Sequence, residues 1–84
     1  MGVCAYEEGE PIILVFDCIS FGKHEIKTCD GVKLKRALDL LSKRINIPTS
    51  KIKTVLYQYT ELNKNTLIKY LGLSSGAVLT VKFK

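Results

Sequence analysis

The side chains able to do covalent or acid–base chemistry are few and scattered along these 84 residues. His24 is the one histidine, and no serine or cysteine is clearly placed to make a nucleophile–base pair with it. Acid–base catalysis needs carboxylates or a histidine converging in a cleft, yet four of the eight acids fall within the first 17 residues. The glycines form neither GxGxxG nor GxxxxGK[ST], so no phosphate-cradling loop is expected. Cys4, Cys18 and Cys29 contain no CxxC and are odd in number. With one histidine they fall short of the usual four zinc ligands. They read as small apolar core residues in a reducing compartment, cytosolic or nuclear. No enzyme activity, catalytic residue, cofactor or metal is expected, and His24 reads as structural.

Something must position whatever surface is left to act, and the apolar pattern says what. Residues 1–10, rich in glutamate and glycine, read as a flexible lead-in. Met1-Gly2 has the start of an N-myristoylation signal, but Tyr6 stands where Ser or Thr is wanted. Residues 11–84 form one domain. Ile12–Phe16 is β-branched and aromatic, and His24–Cys29 alternates around Ile26, so both read as strands. Ser20-Phe21-Gly22 fits a hairpin loop ending in a left-handed glycine. The register expected from it pairs Phe16 with Ile26 and Leu14 with Thr28, and sets Asp17 opposite Glu25. Asp30 is placed to cap the next element. Leu34, Leu38, Leu41 and Ile45 repeat at helical spacing, with Ala37 beside them, and Pro48 bars continuation.

Residues 52–59 alternate again, with Ile52, Thr54 and Leu56 on one face and Lys53, Val55 and Tyr57 on the other. Tyr57 and Tyr59 read as strand residues that pack or edge the sheet. A short edge segment is expected at Glu61–Leu62, a helical turn between Thr66 and Gly72, and a last strand over Leu79–Phe83. The order is strand, strand, helix, strand, short helix, strand. The helix's apolar stripe must be covered by a sheet. Leu14, Phe16, Ile26, Leu34, Leu38, Leu41, Ile45, Ile52, Leu56, Leu67, Leu73, Leu79, Val81 and Phe83 are the expected core.

This order resembles that of ubiquitin-like domains from about Ile12 to Lys84. Ile47-Pro48 after the helix, Thr66-Leu67…Tyr70, and Leu71-Gly72-Leu73-Ser74-Ser75-Gly76-Ala77-Val78-Leu79 carry the resemblance. It implies an α+β β-grasp fold, a mixed sheet of four to five strands wrapped on one helix. It implies non-covalent protein recognition, because the glycine pair that conjugated members carry is not found after Phe83-Lys84. The recognition patch of the family maps here to Ile19 or its neighbour Ser20, Val55 and Lys82, with Thr80 beside them and Lys53 adjacent. Phe21-Gly22-Lys23…Cys29 and Tyr59-Thr60 are similar to the non-conjugated ubiquitin-like splicing modifiers.

Three surfaces are therefore candidates. The first is the sheet face of Ile19, Lys53, Val55, Thr80 and Lys82, facing a protein partner, acidic or from the ubiquitin pathway. The second is the basic helix face of Lys33, Lys35, Arg36, Lys43 and Arg44, facing RNA or a ribonucleoprotein. The net charge of +5 suits either. The third is the edge of the second strand, which Ras-binding members of the fold use, with Lys23 and Lys27 near Lys33, Lys35 and Arg36. No stretch is long enough to span a bilayer, and the expected state is a monomer.

Overall fold

A computed structural model describes residues 9–84; the expectations for residues 1–8 lie outside the described residues. The elements are β1 (Pro11–Cys18), β2 (Gly22–Cys29), α1 (Leu34–Ile45), β3 (Ile52–Tyr57), β4 (Thr60–Glu61) and β5 (Ala77–Phe83). Short 3-10 turns cover Thr49–Lys51 and Ile68–Tyr70. The sheet order is β2-β1-β5-β3-β4. β1 and β5 run parallel at its centre, and the other pairs are antiparallel.

Alternation in β1 sends Ile12, Leu14, Phe16 and Cys18 inward, where they meet the helical stripe of Leu34, Ala37, Leu38 and Leu41. The hairpin turn is built as its residues dictate. The Phe21 amide donates to the Cys18 carbonyl, and Gly22 takes φ +81°, which costs glycine nothing. The register, however, differs from expectation by two residues: Leu14 pairs with Ile26, Phe16 with His24 and Asp17 with Lys23. The turn is centred one residue earlier in the chain, between the paired Cys18 and Gly22. Because side chains repeat every second residue, a slip of two leaves every one on its expected face.

Asp30 does not cap α1. The N-cap position is Lys33, without a side-chain bond. The first-turn amides of Leu34 and Lys35 donate instead to the Thr66 and Lys64 carbonyls, at 3.1 and 2.9 Å. Asp30 ties down the chain before β1: its carboxylate accepts from the Glu10 amide, and its own amide donates to the Glu10 carbonyl, both at 2.9 Å. Glu10, within the expected lead-in, is thus fastened to the end of β2. At the other end of α1, Asn46 takes the left-handed conformation, and the Ile47 amide donates to the Ser42 carbonyl.

β3 holds the largest correction. Its pairing with β5 shifts between Ile52 and Thr54, a bulge that absorbs one residue and resets the alternation. Ile52 and Val55 both point inward, and Val55 is 0% exposed. Leu56, expected in the core, stands on the outer face beside Thr80. The Lys64 ammonium donates to the Ile52 and Lys53 carbonyls, both at 3.3 Å, so the bulge is held by the loop whose carbonyls also hold α1. Ile68, and not the expected Leu67, is buried. Phe83 packs against the core edge and meets Phe21 edge-on, with centroids 5.4 Å apart.

The cysteines divide. Cys18 is a buried thiol, and burial, reinforced by the neighbouring Asp17 charge, raises its pKa. It stays protonated and unreactive at neutral pH. Cys29 is disulfide-bonded, which corrects the expectation of a thiol there and removes this cysteine as support for a reducing compartment.

Candidate functional site

The outer sheet face is built by the residues that the strands turn away from α1. On β1 these are Ile13, Val15 and Asp17. On β5 they are Val78, Thr80 and Lys82. β3 adds Thr54 opposite Lys82 and Leu56 opposite Thr80. Parallel pairing places Val15 beside Val78 and Asp17 beside Thr80.

Of the five residues expected at this site, Thr80 and Lys82 stand on the outer face of β5, and Lys53 falls in the β3 bulge. Ile19, in the β1–β2 turn, is 71% exposed. Lys53 and Lys82 are exposed, and Thr80 is half-buried. Val55 is not part of the surface, because the bulge turns it into the core. Leu56 occupies the place assigned to it. Nothing in the alternating sequence of β3 announces the bulge, and no glycine or proline marks it.

A shallow groove crosses this face, lined by Leu56, Gln58, Tyr59, Thr80 and Lys82. Tyr59 is not the strand residue that the sequence pattern suggests. It stands on the two-residue turn joining β3 to β4 and is 100% exposed. The one sequence signal for that turn is the shortness of the gap between two β-forming runs, and Gln58-Tyr59 are not residues that advertise a turn.

The basic helix residues Lys33, Lys35, Arg36, Lys43 and Arg44 are all exposed. Arg44 is already engaged, its guanidinium donating to the Glu25 carbonyl at 2.7 Å. That bond also bears on the third surface. The Ile13 amide and carbonyl bond to Ser75 Oγ and the Gly76 amide, so they point away from β2. In antiparallel pairing the facing Lys27, and with it Lys23 and Glu25, then directs its backbone groups to the free edge. Arg44 occupies the central carbonyl of that edge.

A ring nitrogen of His24 lies 2.7 Å from the Phe21 carbonyl, within the hairpin. Among the described residues no cluster of three or more His, Cys, Asp or Glu side chains comes together to hold a metal. No helix among them is long and apolar enough to cross a membrane.

No protein-family model matches the chain, and no curated protein matches it. Solved structures do. The N-terminal ubiquitin-like domain of the 4931431F19Rik protein is 15% identical, with a TM-score of 0.78, over 100% of this chain and 86% of that one. The C-terminal ubiquitin-like domain of the human 2'-5'-oligoadenylate synthetase-like protein is 11% identical, with a TM-score of 0.79, over 99% and 91%. A de novo design based on ubiquitin is 14% identical, with a TM-score of 0.78, over 88% and 89%. The fold is a ubiquitin-like β-grasp.

Proposed function

We propose that this ubiquitin-like fold serves as a non-catalytic protein-interaction module whose docking surface is the outer sheet face centred on Leu56. The observation that carries the reading is the position of Leu56. It is a large apolar residue in mid-face, beside Thr80 on β5, with Ile19 and Lys82 further along the face. It is half-buried there and stands apart from the core cluster. An apolar centre with a polar and charged rim is the anatomy of a recognition surface. Apolar contact supplies the affinity, and the lysines steer an acidic partner and pair at the rim.

Leu56→Asp is the direct test. Proteins that the parent chain retains from native extract should lose affinity by roughly tenfold or more, with the amide spectrum of the variant unchanged. Retention of the same proteins at equal affinity removes the face.

A second reading places an anionic partner such as RNA on the helix. One observation favours it: the first turn of α1 has no acidic residue, yet Lys35 and Arg36 stand there beside Lys33, against the helix dipole. Salt separates the two readings. Phosphate contacts weaken linearly in log salt, by a slope of about −0.7 per contact on a single strand, whereas docking on Leu56 should respond little.

A further inference from the structure

The β3–β4 turn is made in an unusual way. Tyr57 pairs with Thr60, leaving Gln58 and Tyr59 as the two turn residues, at φ +51° and +68°. Both central residues of such a turn need positive φ, the reason Asn-Gly is favoured there. A bulky side chain in that region is disfavoured by contact between its β-carbon and the backbone. Tyr59 returns nothing to the free fold, because its side chain is 100% exposed. Tyr59 instead lines the groove together with Leu56, Gln58, Thr80 and Lys82. Strain retained without a packing benefit belongs with function.

The charge of the groove says what would fill it. Among the described residues Lys82 is the one ionised side chain lining it. Asp17, beside Thr80, and Glu61, beside Leu56, flank the row across the face. A carboxylate brought by a partner is attracted at the Lys82 end and repelled along the Asp17–Glu61 row.

We infer that the Tyr59–Lys82 groove reads a short peptide segment of a partner protein bearing an apolar side chain next to a single carboxylate. The apolar side chain lies on Leu56 against the Tyr59 ring, and the carboxylate pairs with Lys82. This rests on the face reading above and names its ligand.

Random peptides displayed on phage and selected on the intact chain test it. The enriched peptides should share an apolar residue next to one acid. Selection on Lys82→Glu should replace that acid with Lys or Arg. Tyr59→Gly should weaken the peptides from the parent selection by roughly tenfold or more, while its Tm rises because glycine accepts the turn. Peptides that need Leu56 but ignore Tyr59 and Lys82 overturn the inference and leave the face reading standing. Peptides indifferent to Leu56 remove both. Failure to enrich any peptide over a blank surface, or a fall in Tm for Tyr59→Gly, also overturns the inference.

Discussion

Val55→Asp should yield no folded domain at room temperature, whereas Leu56→Asp, one residue along, should leave the amide spectrum dispersed as in the parent. Val55 is 0% exposed and faces Val81 across the sheet, itself 0% exposed. Removing the valine forfeits about 1.5–3 kcal/mol of burial. The carboxylate in its place has no partner in an all-apolar cluster, and an unpaired buried charge costs several kcal/mol more. Domains of this size have about 5–15 kcal/mol in all. The aspartate at 56 meets solvent and the Thr80 side of the face, so it perturbs the surface and not the core. Heteronuclear amide spectra of the two variants decide the matter. A well-dispersed spectrum for Val55→Asp would place the residue outside, and the β3 register would fall with it.

Phe16→Ala should be the most damaging truncation that keeps the chain apolar. Phe16 is 0% exposed. It sits on a central strand, paired with His24 on one side and Leu79 on the other. Neighbours on two strands and the helix cannot all close on the space it leaves. Such truncations cost about 3–5 kcal/mol, equivalent to a fall in Tm of roughly 12–40 °C for a domain of this length. Thermal unfolding followed by circular dichroism reads it. A shift of only a few degrees would mean that the core tolerates collapse around the site.

The hairpin and helix are legible in the sequence because one repeating signal governs each. Leu34, Leu38 and Leu41 keep helical spacing, and all are buried. Inward Leu14, Phe16 and Ile26 keep period two, which is why a register displaced by two residues still puts each on its right face. What escapes the sequence is local and non-repeating. The bulge in β3 depends on the Lys64 ammonium meeting two carbonyls that are eleven and twelve residues distant in the chain, and no pattern within 52–59 encodes it. The exchange of Val55 for Leu56 follows from that alone. The cap of α1 also comes from elsewhere, from the backbone of Lys64 and Thr66, so the nearby Asp30 is a misleading candidate. Tyr59 is hidden because the turn it occupies is made with residues that turns of this kind avoid. The readable parts of the candidate surface, Ile19, Thr80 and Lys82, lie on or next to the regular strands β1 and β5. The unreadable part is set by the bulge and the turn.

The order β2-β1-β5-β3-β4 has a consequence for how the polypeptide is made. The hairpin β1–β2 and the hairpin β3–β4 share no ladder; β5 alone joins them. Ala77–Phe83 is synthesised after every other described element. While it is inside the ribosome, two unconnected half-sheets flank a helix whose stripe neither can cover. Cooperative collapse therefore waits until β5 emerges. Throughout elongation Phe16 and the other residues that await Leu79 expose a greasy interior that chaperones can recognise.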